Sequence, residues 1–192
     1  MKIRGMIIVT KQIIQVVFRE KNKEHITEVD IYTYDVVNGE RFLRNRFKGH
    51  GGKSGLAIGD KKEGDYKTPW GVYDLPLVFG TEIVENSNII QKKISRDDVW
   101  VDDAKSLQYN TMQKRENLQA DSWEELYIPA YKHVIVVGYN YETPVPGKGS
   151  AIFIHLKTEN KYTAGCIALD EEDLIEIIKW LDFNKNPIII IL

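Results

Sequence analysis

Cys166 is the one cysteine of this 192-residue chain and its best candidate nucleophile. It follows Gly165 in the run 163–169 (TAGCIAL), at the mouth of an apolar segment. A glycine before the cysteine lets the backbone turn sharply, so that successive amide N–H groups point the same way. An oxyanion hole requires such preorganised donors. A lone cysteine is otherwise more often a small buried hydrophobe, so its surroundings decide between the two interpretations.

His155 is the candidate general base for this thiol. It stands eleven residues upstream of Cys166, at the end of the apolar run 151–154, and the polar stretch 156–162 can loop back. Two neighbouring strand ends joined in this way bring an imidazole and a thiol within hydrogen-bond reach. A thiol with a pKa near 8.5 is mostly protonated at neutral pH, and a paired histidine lowers that pKa to about 3.5–7.5. We therefore expect an activated thiol at Cys166.

The order of motifs around these two residues resembles the catalytic domain of the L,D-transpeptidases, often called the YkuD or ErfK/YbiS family. The resemblance rests on IH at 154–155 followed by TAGC at 163–166. Other stretches similar to successive blocks of that domain extend it over most of the chain: 52–55, 62–65, 68–73 and 147–155. The residues at 102–103, 109–110 and 139–140 are similar to a subgroup of the family. The family's widespread motif carries a histidine where this chain has Ala164, and often a polar residue where it has Ala168.

The resemblance implies a role for each residue of the motif. Cys166 would be the nucleophile and His155 the general base, by the nucleophile-plus-base logic of covalent catalysis. The backbone carbonyl of Leu156 would orient the imidazole through its other ring nitrogen. The backbone amides of Gly165 and Cys166, with that of Ala164 as a further candidate, would hold the oxyanion. No cofactor or metal is implied, and nothing at metal-ligand spacing joins His155 and Cys166.

A second group of residues is expected to contact substrate. The stretch 80–130 is the least periodic part of the chain, and such a long irregular segment is more often functional than accidental. Aromatic and amide side chains in or near it are candidates for lining a peptide cleft, and packing in the core is an equally good interpretation. They are Trp100, Tyr109, Asn110, Trp123 and Tyr139.

The remaining histidines and one charged run receive structural interpretations. We expect His25 and His50 to be solvated. His133 begins an apolar run and is expected to be structural. The run KKEGD at 61–65 is expected to be a solvated turn rather than a substrate contact.

Strand-forming patterns dominate the chain. Alternating or continuous apolar runs predict strands at 13–18, 26–37, 40–48, 71–75, 133–139, 151–154 and 188–192. Asn38-Gly39, between the second and third of these, favours a two-residue type I′ turn. The glycine-rich stretch 49–55 is expected to be a mobile hairpin connection.

One helix is predicted near the end of the chain. Asp170 suits an N-cap, and acidic residues follow it at the positive end of the helix dipole. An apolar stripe with helical spacing comes next, formed by Leu174, Ile177, Ile178 and Leu181. These patterns predict a single domain over 1–192 of mostly β, α+β class. The resemblance specifies it as an L,D-transpeptidase-like β-sandwich with a C-terminal packing helix.

Composition and net charge limit the classes of partner that this chain can have. The chain has 26 Lys and Arg against 28 Asp and Glu, a net charge of −2, which argues against nucleic-acid binding. Hydrophobic residues make up 43 % of it, which excludes wholesale disorder. No apolar run approaches ~18 residues, so no transmembrane segment is expected. The apolar stretch 6–9 is too short for the core of a signal peptide. We expect a monomer.

The resemblance implies an enzyme that acts on peptidoglycan stem peptides, and hence an extracytoplasmic, cell-wall location. The expected reaction is transpeptidation through an acyl-enzyme, with release of D-alanine and formation of a 3→3 cross-link. Resolution of the same acyl-enzyme by water would make the protein an L,D-carboxypeptidase. The alternative from another class is a non-catalytic wall-binding module.

Overall fold

The computed structural model describes residues 11–19 and 27–192. In chain order the strands are β1 (Gln12–Phe18), β2 (Glu28–Val37), β3 (Glu40–His50), β4 (Leu56–Ala57), β5 (Thr68–Pro69), β6 (Gly71–Asp74), β7 (Val78–Gly80), β8 (Gln91–Lys93), β9 (Asp98–Val101), β10 (Met112–Lys114), β11 (Trp123–Glu125), β12 (Val134–Val136), β13 (Phe153–Leu156), β14 (Ile167–Leu169) and β15 (Ile188–Ile191). The α-helix α1 spans Glu171–Trp180, and 3-10 helices span Arg115–Asn117, Pro129–Tyr131 and Phe183–Lys185.

Ten strands form one mixed sheet in the order β6-β15-β1-β2-β3-β14-β13-β12-β7-β8. Most neighbours run antiparallel, and the parallel pairs are β1 with β15, β13 with β14, and β7 with β8. Strands β13 and β14 are buried on both faces, which is why they lack the regular polar alternation of a half-exposed strand. The predicted mostly β, α+β fold is confirmed.

The two faces of this sheet carry different layers. Helix α1 packs on one face, where Leu174 and Ile167 belong to the larger apolar core. The three-stranded sheet, of order β10-β9-β11, packs against the other face. There, Trp100 of β9 lies edge-on against Phe153 of β13, with ring centroids 4.9 Å apart. Cys166 belongs to this second core, so the cysteine lies on the face opposite the helix.

The hairpin of β2 and β3 follows the sequence prediction closely. Asn38 and Gly39 have φ values of 53° and 85°, and a type I′ turn requires a positive φ at both of its central residues. Strand β3 runs two residues beyond its predicted end, to His50. The extension matters for the site because His50 pairs with Ala168 of β14, next to the catalytic candidates.

The prediction of a plain loop over 49–55 is wrong for the first half of that stretch. Gly49 lies in β3, and Gly52 forms an isolated β-bridge with Thr163 and donates its amide to Thr68 Oγ1 at 2.9 Å. A Cβ on Gly52 would lie 2.6 Å from the Tyr66 carbonyl oxygen. This glycine is therefore needed because another backbone approaches it closely, and the contact holds the segment against the Cys166 loop.

Two strand boundaries also differ from the prediction. The strand predicted over 133–139 is limited to Val134–Val136. Strand β13 covers Phe153–Leu156 rather than 151–154, since Ala151 adopts a positive φ of 51° that ends an extended strand. His155 therefore lies inside β13 and is held by sheet pairing.

The stretch 80–130 is more regular than its sequence suggests. It contains β8 to β11, each three or four residues long, which is too short for a periodicity to be read from the sequence. Helix α1 begins directly after Asp170 as predicted, but that carboxylate makes no capping hydrogen bond. It accepts a hydrogen bond from Lys157 Nζ at 2.6 Å instead.

The apolar stretch 6–9 and His25 lie outside the described residues. Within the described part of the chain, no helix has the length and apolar character needed to cross a membrane.

Candidate active site

The parallel pairing of β13 with β14 brings the two catalytic candidates together. In its register Ile154 is opposite Ile167, and His155 is opposite Ala168. Side chains alternate between the faces of a sheet, so His155 and Cys166 project from the same face, on adjacent strands and two positions out of step. Both residues line one cavity of about 500 Å³.

Thr163 closes the turn that presents the cysteine. Its hydroxyl donates to the Cys166 carbonyl oxygen at 2.6 Å and accepts the Gly165 amide at 3.1 Å. Gly165 has φ of +149°, and a Cβ there would lie 2.9 Å from the Lys67 carbonyl oxygen. The turn therefore requires glycine at 165 and a hydroxyl at 163. The sequence analysis quoted Thr163 as part of a motif but missed this role.

The same contact corrects the predicted oxyanion hole. Because the Gly165 amide already donates to Thr163 Oγ1, it is not a free donor for an oxyanion. The amides of Ala164 and Cys166 remain as candidates. Ala164 is exposed at the wall of the cavity, and its methyl group leaves room where the family's widespread motif carries a histidine.

The thiol of Cys166 is buried and protonated. It donates to the Ala151 carbonyl oxygen at 3.1 Å and accepts the Phe153 amide at 3.4 Å. Burial raises the pKa of Cys166 to about 12, and the nearby charge of Glu124 acts in the same direction. The predicted pairing with His155 is not formed: the hydrogen bonds of the thiol go to Ala151 and Phe153, and His155 is not among the groups that shift its pKa. The main cause of the raised pKa is desolvation of the thiolate.

His155 is also neutral. Its Nδ1 lies 2.8 Å from the Leu156 carbonyl oxygen, and since a carbonyl can only accept, Nδ1 carries the proton and Nε2 keeps its lone pair. Burial lowers the pKa of His155, which keeps the imidazole in this basic form. The Tyr131 ring packs edge-on against it, with centroids 5.3 Å apart. The site thus holds a thiol and an imidazole rather than an ion pair.

A family model for the L,D-transpeptidase catalytic domain, YkuD, matches residues 8–190. The chain belongs to the YkuD family of L,D-transpeptidases. No curated protein matches the chain. Membership of this enzymatic family gives the protein a catalytic activity of the L,D-transpeptidase type on peptidoglycan.

The charged run at 61–65 forms the predicted turn, with Lys62, Glu63 and Gly64 exposed, but its two ends are not solvated and it borders the cavity. Lys61 is 4 % exposed, and its Nζ contacts Asp65 Oδ1 at 2.7 Å. Glu63 accepts the Ser150 hydroxyl at 2.8 Å. Lys61, Glu63 and Ser150 line the cavity beside Cys166. The similarity of 62–65 to a block of the YkuD family was the available signal for this position.

For five residues, substrate contact and core packing were equally good interpretations, and the structure places none of the five among the described residues that line the cavity. They are Trp100, Tyr109, Asn110, Trp123 and Tyr139. Trp100 is buried in the core, and its Nε1 donates to Asn110 Oδ1 at 2.8 Å. Trp123 lies against Arg115, and the Tyr139 hydroxyl donates to the Lys148 carbonyl.

Asn110 and Tyr109 hold residues of the cavity wall in place through hydrogen bonds. Asn110 Oδ1 accepts the Ala151 amide at 3.0 Å, and Ala151 is the residue whose carbonyl holds the Cys166 thiol. The Tyr109 hydroxyl donates to Glu63. Both side chains are buried polar groups with satisfied hydrogen bonds, so they position the cavity walls instead of contacting a ligand.

The other histidines stay outside this constellation. His50 is half-buried rather than solvated, because β3 extends to it and pairs it with Ala168. His133 is buried, as its structural interpretation requires, with Nε2 3.6 Å from Glu171. In the ranges 11–19 and 27–192, no three His, Cys, Asp or Glu side chains come together as a possible metal site.

The Thr163 contacts predict a loss of stability in Thr163→Val. Valine keeps the shape but leaves the Gly165 amide and the Cys166 carbonyl without their partner, so the free energy of unfolding should fall by about 1–3 kcal/mol. Thr163→Ser keeps the hydroxyl and is the matched control, with a loss below about 1.5 kcal/mol. Urea denaturation measures both, and equal losses in the two variants would contradict the assigned role.

The buried thiol predicts an unusual pH profile for alkylation of Cys166 by iodoacetamide. Only the thiolate reacts, so the rate at pH 7 should lie below that of an unstructured cysteine and keep rising beyond pH 9. The urea-unfolded protein is the control, with a midpoint near 8.5. Because the chain has one cysteine, the adduct reports on Cys166 alone. A rate plateau below pH 8 in the folded protein would show an activated thiolate instead.

Proposed function

We propose that the protein is a cysteine-dependent L,D-transpeptidase that acts on peptidoglycan stem peptides. The observation that carries the proposal is the shared cavity of Cys166 and His155, with His155 Nδ1 fixed on the Leu156 carbonyl. A nucleophile and a base whose outer nitrogen is oriented by a third group form the usual arrangement for acyl transfer. The substrate class requires action outside the cytoplasmic membrane, and one chain carries all the catalytic groups.

Acylation begins from the neutral pair. The carbonyl between the third stem residue and the terminal D-alanine enters beside Cys166, and the thiol turns from the Ala151 carbonyl toward His155 Nε2. The imidazole takes the thiol proton as sulfur attacks the carbonyl carbon. Amides of Ala164 and Cys166 stabilise the oxyanion. The imidazolium then protonates the leaving amine, D-alanine departs, and a thioester remains on Cys166.

The neutral pair suits an enzyme whose nucleophile is needed only in the substrate complex. An isolated thiolate in this cavity is strongly disfavoured by desolvation, so sulfur gains its charge together with the forming bond. A positioned general base contributes about 10²–10⁴-fold to such a step. In the free protein, electrophiles in solution react slowly with Cys166, because the protonated thiol is a weak nucleophile.

The thioester has two possible fates. Attack by an amine of a neighbouring stem gives a 3→3 cross-link and makes the protein a transpeptidase. Attack by water gives a shortened stem and makes it an L,D-carboxypeptidase, which is the second candidate function. A wall-binding module without catalysis has no need of a nucleophile, a base and an oriented imidazole in one cavity, so we rank it last.

Product analysis with purified tetrapeptide muropeptides tests the proposal. The parent protein should release D-alanine and form cross-linked dimers. Cys166→Ala should abolish both products without unfolding, because one small buried side chain is changed. His155→Gln should reduce D-alanine release about 10²–10⁴-fold. His50→Gln is the control histidine and should keep activity. Release of D-alanine by Cys166→Ala would overturn the cysteine mechanism.

A carbapenem should acylate Cys166 covalently, whereas most penicillins should leave little stable adduct. The strained lactam carbonyl is the electrophile that the thiol attacks, and the same amides stabilise its oxyanion. Intact-protein mass spectrometry should show one added drug mass, which is lost in Cys166→Ala. Absence of an adduct at every concentration would favour the non-catalytic alternative.

A further inference from the structure

Glu124 is a carboxyl group of the cavity that the mechanism above does not use. It projects from β11 into the cavity that Cys166 and His155 line. Its Oε1 accepts a hydrogen bond from the Tyr131 hydroxyl. Lys61, the lysine of the cavity wall, is committed to Asp65. Among the described residues, therefore, no cation pairs with Glu124.

Tyr131 fixes the position of this carboxyl group relative to the catalytic pair. The Tyr131 side chain is 4 % exposed, and its ring packs edge-on against both His155 and Phe153, at centroid distances of 5.3 and 5.6 Å. One buried aromatic ring thus packs against the proposed base and holds Glu124 through its hydroxyl group.

The surroundings of Glu124 disfavour an unpaired negative charge. Burial is the main cause that raises the pKa of Glu124 to about 7, and the charges of Asp102 and Glu63 add to it. Cys166 and Tyr131 face the same carboxyl group, and neither supplies a positive charge. An unpaired carboxyl group beside a nucleophile, tuned to neutral pH, is typical of a group with a chemical task.

We propose that Glu124 binds the ammonium group of the acyl acceptor and takes the proton that this amine must lose before it attacks the thioester. The inference rests on the proposed transpeptidase function and assigns its second half-reaction. The ligand class is a primary amine that arrives as its ammonium ion. The positive charge of this ammonium ion supplies the ion-pair partner that Glu124 lacks in the free protein.

Groups of the cavity and the solvent account for every proton of this step. The ammonium ion passes one proton to the Glu124 carboxylate and becomes a neutral amine. Its nitrogen attacks the thioester carbonyl, an N–C bond forms and the C–S bond breaks. The second nitrogen proton passes through His155 to the departing sulfur, which regenerates the thiol of Cys166. Glu124 then returns its proton to solvent, and the product is an amide.

Glu124→Gln tests the proposal because it keeps size and removes the base. With a tetrapeptide muropeptide as both donor and acceptor, we expect the ratio of cross-linked dimer to hydrolysed tripeptide to fall about tenfold or more. D-alanine release, which reports acylation, should fall much less. Glu125→Gln is the matched control, since Glu125 is the exposed neighbour on the same strand and pairs with Arg115. That variant should keep the parent ratio.

The pH profile separates a chemical role from a structural one. In the parent, the dimer-to-tripeptide ratio should rise through an inflection near pH 7, because the carboxylate form of Glu124 accepts the proton. In Glu124→Gln only the rise from free amine at higher pH should remain. Tyr131→Phe should give an intermediate ratio. An unchanged ratio and profile in Glu124→Gln, or a parent that forms only tripeptide, would overturn the inference.

A separate readout needs no turnover. Removing the Glu124 charge should speed iodoacetamide alkylation of Cys166 above pH 7, because a negative charge near the thiolate disappears. If this acceleration occurs while the parent releases no D-alanine, the proposed function fails and the electrostatic link between Glu124 and Cys166 stands. If D-alanine is released and the dimer ratio is insensitive to Glu124, the inference alone fails.

Discussion

The parallel pairing of β13 with β14 is the constraint on which the site depends. Its register sets His155 opposite Ala168 and puts Cys166 on the same face. A slip of one residue would turn every side chain of β14 over and send the cysteine into the core under α1. The neighbouring strands β3 and β12 hold both partners in place, so the catalytic geometry is a property of the whole ten-stranded sheet.

Burial gives this geometry its chemical character. Cys166 shares a core with Trp100, Phe153 and Tyr131, and Tyr131 also packs against His155. Burial in these surroundings keeps both catalytic groups neutral. The pKa of the thiol goes up and that of the imidazole goes down for the same reason, which is the cost of placing charge in a poorly solvated site. Reactivity therefore depends on proton transfer in the substrate complex, and the charge that acts most on the thiol is that of Glu124.

Local patterns predicted the parts of the fold that have local causes. The Asn38-Gly39 turn, the long strands around it and the apolar stripe of α1 follow from periodicity and turn chemistry. Cys166 and His155 were indicated by their neighbouring residues, and the resemblance to a family added the Leu156 carbonyl. The predicted fold class is confirmed, and we propose the catalytic roles. Short strands such as β9 and β11 carry too few residues to show a period.

The misses share one physical origin, which is long-range contact. Trp100 is buried because β9 lies against Phe153, and nothing near position 100 encodes that pairing. Glu124 enters the cavity through the pairing of β11 with β9. The hydroxyl of Thr163 was in view, but its partners follow only from the shape of the turn. The sequence around a single charged or polar residue therefore did not predict which part of the structure its side chain would contact.

The most direct test of the account is the intact mass of the protein after rapid mixing with a tetrapeptide stem and acid quenching. A thioester mechanism predicts a transient adduct equal to the stem without its terminal D-alanine, located on Cys166 by peptide mapping and lost in Cys166→Ala. Release of D-alanine without any such adduct, or an adduct that persists in Cys166→Ala, would contradict it.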